Sequence, residues 1–198
     1  MQRSGATKKG HGMAGWQDTH EGTLAQVWGR LARGVADRRC ATRHPVLCTL
    51  GLDGAPQART VVLRGCDPAA GVLEMHADLA STKMAELRAE PRAALHVWDP
   101  RLKLQMRLGA EVEMRSGASV AARWARVPEG SRRAYGGAPP PGEVLGAPED
   151  HDAAPSQARF AALLARIDVI ETLHLGPDLH RRARFRRIDD WTGVWLAP

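Results

Sequence analysis

The 198-residue sequence predicts a mainly β protein with flanking helices, folded as a closed or partly closed antiparallel barrel. Three observations predict it. The apolar period changes from helical to strand-like after His44, the Val-, Leu- and Thr-rich runs beyond that point are short and bounded by turn residues, and helical stripes are confined to a few stretches between them. Rolling such a sheet into a barrel removes its exposed edges.

The first element is a helix. Leu24, Val27, Leu31 and Val35 recur at three- and four-residue spacing over residues 23–37, with Thr23 as N-cap. Burying each such side chain is worth about 1.5–3 kcal/mol, so this helix packs onto the rest of the molecule. Strands follow over residues 45–50, 57–64 and 72–77, with Asp53-Gly54 and Asp67-Pro68 as the turns of consecutive hairpins. Residues 81–90 read as a short helix capped by Ser81 or Thr82 and stopped by Pro91. Two strands come next, over residues 93–98 and 104–114. The second alternates Leu104, Met106 and Leu108 against Gln105, Arg107 and Gly109, so Gln105 and Arg107 point the same way. Residues 117–126 read as helix, and residues 128–155 as a Pro- and Gly-rich loop of a length usual for lids or disordered segments. Residues 156–167 resume a helical stripe through Phe160, Leu163, Leu164 and Ile167, before final strands near residues 169–175 and 183–188.

Composition bounds the function. The length suits one domain, over residues 21–198, preceded by a flexible arm over residues 1–20. Hydrophobic residues at 43% and charged residues at 25% are globular proportions, which exclude a disordered or fibrous chain. No apolar run approaches the ~20 residues that cross a bilayer. The N-terminal residues also lack the ~7–15-residue apolar stretch of a secretory signal. A cytoplasmic protein with no membrane partner is expected. Cys40, Cys48 and Cys66 form no C-x-x-C pair and have no His at zinc-finger spacing, so neither a disulfide framework nor a metal site is indicated. The net charge of +6, carried far more by Arg than by Lys, favours an anionic ligand.

One tract carries chemistry. The strand ending in Arg59-Thr60-Val61-Val62-Leu63-Arg64 is followed by one that runs through His76 and Ala77 into the helix start Ser81-Thr82-Lys83. Free backbone N–H groups and the positive end of a helix dipole attract a phosphate, and Ser81, Thr82 and Lys83 add hydroxyls and a charge. Taken singly, strand arginines and a lone lysine are usually solvent-facing, and His76 and His180 are more often plain polar residues than catalytic ones. It is the arrangement that points to a ligand.

In order and spacing, R-T-V-V-L-R-G, D-L-A-S-T-K, E-P-R-A-A-L and L-Q-M-R-L, with the closing run around His180 to Arg187 and the terminal W-L-A-P, resemble the pyridoxamine 5'-phosphate oxidase family of FMN-binding split barrels. The similarity runs from about residue 20 onward. It implies an antiparallel split β-barrel and FMN as cofactor. Arg59, Thr60, Val61, Val62, Leu63 and Arg64 then line the flavin, His76 and Ala77 lie beside it, Ser81, Thr82 and Lys83 hold its phosphate, and Gln105 and Arg182 approach its ring system. It implies a homodimer with flavin at the subunit interface, and an oxidoreductase acting on a small molecule. A non-catalytic flavin-binding or sensing module is the alternative. No catalytic side chain is singled out.

The departures bear on the substrate. Thr82 stands where the vitamin-specific enzymes put an Arg for the flavin phosphate, which keeps a donor and loses a charge. The positions matching their substrate-phosphate residues are Arg64, Arg123, Val127, Ser131, Asp178 and His180, of which Arg64, Ser131 and His180 remain suited to a substrate. Asp178 repels a phosphate, so a substrate other than pyridoxamine 5'-phosphate is expected. Arg182, Arg184 and Arg186 on one strand face also resemble a nucleic-acid surface. A solvated face with one flavin contact accounts for them, and no nucleic acid is expected.

Overall fold

A computed structural model describes residues 15–198. The first 14 residues, most of the arm expected over residues 1–20, lie outside the described residues. A 3-10 turn, Trp16–Asp18, leads into helix α1, His20–Ala36. The helix begins three residues before the expected start. Thr19 is its N-cap, accepting from the Gly22 N–H at 3.0 Å, while Thr23 is interior and its hydroxyl donates to the Trp16 carbonyl at 3.3 Å. The stripe buries Val27, Trp28 and Leu31 as the period requires. Gly34 lets the helix touch the following 3-10 turn, Ala41–Arg43, since a Cβ there would lie 2.5 Å from the Thr42 hydroxyl.

The strands are β1 (Val46–Leu50), β2 (Pro56–Thr60), β3 (Leu63–Asp67), β4 (Val72–Asp78), β5 (Arg92–Asp99), β6 (Leu104–Ser116), β7 (Phe160–Leu175), β8 (His180–Arg186) and β9 (Gly193–Leu196). All their pairings are antiparallel, in the order β2-β1-β5-β6-β7-β4-β3, with β8 on the far half of β7 and β9 on β8. Helix α2, Thr82–Ala89, follows β4, and α3, Ala121–Arg126, and α4, Glu129–Arg132, follow β6.

The single strand expected over residues 57–64 is two strands. After Thr60 the chain leaves β1, with the Val61 N–H reaching the Pro45 carbonyl at 2.9 Å, and from Leu63 it pairs with β4. Since β2 and β3 lie at opposite ends of the sheet order, this two-residue step turns an open path into a split barrel. Side-chain alternation continues through the step, so periodicity could not reveal the change of partner.

The helix expected over residues 156–167 is the first half of β7. Phe160, Ala161, Ala162 and Leu163 are all fully buried. Ala161, Leu163, Ala165 and Ile167 face the main core, whereas Phe160 and Ala162 face a smaller cluster with Val120, Val127 and Tyr135. A strand covered on both faces has no polar alternation, and its apolar run mimics a helical stripe. Across from β6 the register skips Asp168 opposite Gly109 and Ala110. This bulge bends both long strands, and a Cβ on Gly109 would lie 2.7 Å from Val169 Cγ1.

Candidate functional site

The junction of β4 and α2 builds the first half of the site. Asp78 is buried, and its carboxylate accepts from the Ala80 N–H at 2.8 Å, the Gly136 N–H at 2.7 Å, and Arg159 Nε and Nη2 at 3.0 and 2.8 Å. These bonds shape the turn before α2 and pin the Pro-rich loop beside it. Ser81 occupies the N-cap position but does not cap. Its hydroxyl donates to the Asp78 carbonyl at 2.7 Å, so the first-turn N–H groups of α2 have no side-chain acceptor.

Lys83 reaches back to Ser81 Oγ at 3.1 Å and pairs with no carboxylate among the described residues. Burial pushes its pKa down and the Arg59 charge adds to this, against the opposing pull of Asp78 and Glu86. Arg59 is by contrast fully engaged. Its Nη2 pairs with Glu86 at 2.8 Å and its Nη1 donates to the Thr49 hydroxyl, which donates to the same carboxylate at 2.5 Å. Glu86, on α2, is only 2% exposed. Gln57, Pro141 and Gly142 complete the walls of a cavity of about 360 Å³ around Arg59, Ser81, Thr82 and Lys83. Gly142, at φ +97°, brings the loop onto Thr82, where an added Cβ would lie 3.4 Å from the hydroxyl.

A second cavity, of about 200 Å³, lies between the end of α1 and α3 and is lined by Arg43, Arg64, Glu74, His76, Arg123 and Arg126. Glu74 and His76 share a face of β4, where His76 Nε2 meets Glu74 Oε1 at 2.9 Å. Arg123 Nε meets Glu74 Oε2, also at 2.9 Å. Burial raises the Glu74 pKa, but the bonds and charges of His76 and Arg123 outweigh it and leave the carboxyl below its ordinary value. His76 packs edge-on to Phe160, its Nδ1 buried without a partner, and Arg64 Nε is equally unpartnered.

Other residues singled out by the sequence lie elsewhere. Val61, Leu63 and Ala77 are core residues, so only their backbone is available to a ligand, while Thr60 is exposed and Val62 half-buried. Gln105 and Arg182 fall in one row, each opposite Leu173 from the two sides of β7. That puts them about 10 Å apart by the strand spacing. Arg182 pairs with Glu171 at 2.9 Å. His180 and Arg182 line a separate groove with Asp18 and Trp195, and Ser131 lies on α4 outside all of these cavities. Within one chain the structure therefore joins Arg59 to the Ser81-Thr82-Lys83 tract and Arg64 to His76, but leaves Gln105, Ser131, His180 and Arg182 apart from both groups.

Sequence reading missed Arg43, Glu74, Asp78, Glu86 and Arg126. Glu74 was detectable, since it stands two residues before His76 on a strand and shares its face. Arg43 and Arg126 carried no local signal.

Comparison with known proteins bears on the fold and the cofactor. Residues 25–115 match the family model for the FMN-binding domain of pyridoxamine 5'-phosphate oxidase. A pyridoxine/pyridoxamine 5'-phosphate oxidase from Thermosynechococcus vestitus is 36% identical over 153 residues, covering 77% of this chain and 62% of that protein. The chain thus spans less than two thirds of that relative's length. A second such oxidase, from Salinibacter ruber, is 29% identical over 170 residues, covering 77% of this chain and 78% of its own. Among solved structures, a pyridoxamine 5'-phosphate oxidase-related FMN-binding protein from Nostoc punctiforme superimposes with a TM-score of 0.72 at 23% identity, covering 88% and 96% of the two chains. PhzG from Burkholderia lata, solved with tetrahydrophenazine-1-carboxylic acid, gives 0.69 at 19%, covering 89% and 91%. At those identities the likeness is one of fold: a mostly antiparallel split barrel with flanking helices.

Proposed function

We propose, from the match of residues 25–115 to the FMN-binding domain of pyridoxamine 5'-phosphate oxidase, that this chain is an FMN-dependent oxidoreductase of the pyridoxamine 5'-phosphate oxidase-like family whose substrate is not pyridoxamine 5'-phosphate. The observation that carries the reading is the uncapped first turn of α2 facing a lysine that has no carboxylate partner among the described residues. Backbone N–H groups, the Thr82 hydroxyl and the Lys83 ammonium together fit the phosphate of FMN. Arg59, already neutralised by Glu86, serves as a fixed donor rather than a free charge.

Bound FMN supplies reversible acceptance of a hydride or of electrons, and the protein supplies position and electrostatics. Thr82 and Lys83 anchor the phosphate. Asp78 holds the turn that presents them and keeps the Pro-rich loop against it, which restricts water at that end. The barrel domain extends over residues 21–198 in this reading, and the chain works in the cytoplasm. A homodimer completes the site, because Gln105 and Arg182 lie away from the cradle within one chain and a second copy brings them to a flavin at the interface.

The altered substrate preference rests on Arg123, tied to Glu74, on Val127, which is buried and apolar, and on Asp178. Anaerobic mixing of the FMN-loaded protein with pyridoxamine 5'-phosphate should leave the flavin's visible absorption unreduced. Rapid bleaching by that compound would overturn the substrate assignment. The second reading, a flavin-binding module without turnover, is favoured by the separation of Ser131 and His180 from the Arg64 cavity. Flavin that stays oxidised with a panel of small organic acids, amines and reduced nicotinamides would support it.

A further inference from the structure

A third charged region, a cleft of about 270 Å³, lies between the last turns of α1, the connector at Arg39 and Cys40, and the β5-β6 turn at Asp99 and Arg101. It shares no lining residue with the cradle, the Arg64 cavity or the His180 groove. Two aspartates in its walls do the same task. Asp99 is fully buried, and its Oδ2 accepts from Arg30 Nε and Nη2 at 2.8 and 2.5 Å. Its Oδ1 accepts from the backbone N–H groups of Arg101 and Leu102 at 3.1 and 3.4 Å. Asp37 repeats the pattern, with Oδ2 facing Arg33 Nε and Nη2, both at 3.4 Å, and Oδ1 accepting from the Arg39 N–H at 2.9 Å. That N–H holds the Asp37 carboxyl below its ordinary pKa, outweighing desolvation, and Arg33 lowers it further. Each aspartate thus pairs with one guanidinium and fixes the backbone of a second arginine. The side chains of those second arginines, Arg39 and Arg101, make no hydrogen bond or ion pair among the described residues, and residues 1–14 contain no Asp or Glu.

The carbonyls at the end of α1, which would oppose an anion, are already bonded. Thr42 donates to the Arg30 carbonyl, Arg43 to those of Gly34 and Val35, and the Asp37 N–H to that of Arg33. Cys40 brings no charge either. Because the Thr42 hydroxyl gives its proton to the Arg30 carbonyl at 2.5 Å, its 3.1 Å contact with Cys40 Sγ has the thiol as donor, and a donating thiol is neutral. The Arg30–Asp99 pair joins positions 69 residues apart, so both walls are set before any ligand arrives. We propose that Arg39 and Arg101 form a binding site for a phosphate dianion, free or carried as a monoester on a small molecule. Two unpaired guanidiniums match its two charges, and each offers a fork of N–H donors, whereas a monocarboxylate satisfies only one. The volume falls just below the ~300–1,000 Å³ of small-molecule pockets, so the cleft takes the phosphate and leaves its carrier toward solvent. This site does not rest on the flavin reading.

Titration calorimetry of the full chain with phenyl phosphate tests it, at fixed ionic strength and about pH 8, above the second phosphate pKa of ~6. Arg39→Gln and Arg101→Gln should each weaken binding about fivefold or more, the loss of one charge-assisted contact, with the thermal midpoint unchanged. Three variants elsewhere should keep the affinity within about twofold: Lys83→Ala in the cradle, Arg126→Gln in the Arg64 cavity, and Arg88→Gln at an exposed position on α2. Acetate should bind about tenfold more weakly than phenyl phosphate. Inorganic phosphate separates the two sources: affinity equal to that of phenyl phosphate assigns the free ion, and weaker affinity assigns a monoester. Loss of binding in Lys83→Ala or Arg126→Gln places the anion in another cavity and overturns the site. An equal loss in Arg88→Gln, which means general charge attraction, or no saturable binding at all, overturns it as well.

Discussion

The two charged cavities of this barrel use their arginines in opposite ways. In the cradle at the start of α2, Arg59 is locked to a buried glutamate and a threonine on the neighbouring strand, and the group left over is a single lysine beside a helix terminus. In the cavity between α1 and α3, one arginine is neutralised and three have no carboxylate partner among the described residues. The difference separates a charge that holds the fold from charges that no carboxylate among the described residues neutralises. A buried pair contributes chiefly by being intact, since removing one partner strands the other. Unpaired cations contribute nothing comparable to stability, and the fold tolerates their mutual repulsion.

The comparison breaks most sharply at Glu86. Glu86→Ala leaves Arg59 and Thr49 without their acceptor, with an expected cost of about 3–5 kcal/mol. The cradle account requires a fall of many degrees in the thermal midpoint, whereas Arg126→Gln in the other cavity, which breaks no side-chain hydrogen bond or ion pair among the described residues, should leave the midpoint within about 2 °C or raise it. Equal losses in both variants would erase the distinction drawn between the two regions.

A smaller effect concerns acid stability. Glu74 is held below its ordinary pKa in the folded chain by His76 and Arg123, so it binds its proton less readily folded than unfolded. Its contribution is therefore complete above the unfolded carboxylate range, near pH 4.3, and is lost as the pH falls through the depressed folded value. The difference in unfolding free energy between the parent and Glu74→Gln should be constant near neutrality and shrink in acid. A difference independent of pH would show that Glu74 is not ionised in its pairs.

Much of this was legible in the sequence, and the failures have physical causes. The cradle was legible because its parts are local: a strand, a turn and a helix start within a few residues, where the hydroxyls, the lysine and the backbone geometry come together without help from the rest of the fold. The strands of the hairpins β1-β2, β3-β4 and β5-β6 were legible because burial largely alternates along them, although the hairpins do not join into one meander. β7 was not, because Ala161, Leu163 and Ala165 on one face and Phe160 and Ala162 on the other are all buried, leaving no alternation to read. The step from β2 to β3 was hidden for a related reason, since a strand can change partners without changing its own pattern. The second cavity was invisible as a unit because Arg43, Arg64 and Arg126 are brought together only by tertiary packing. The sequence pointed to Arg64 and Arg123 but could not show that Glu74 sets them apart.

The central claim is that the start of α2 holds the phosphate of a flavin mononucleotide, and comparing FMN with riboflavin tests it most directly, because the two differ by that phosphate alone. Fluorescence titration of the flavin-free protein should show FMN binding at least 100-fold more tightly than riboflavin. In Lys83→Ala that preference should shrink by about tenfold or more, the effect of losing one charge-assisted hydrogen bond. Equal affinity for the two flavins in the parent protein, or a preference untouched by Lys83→Ala, would contradict it.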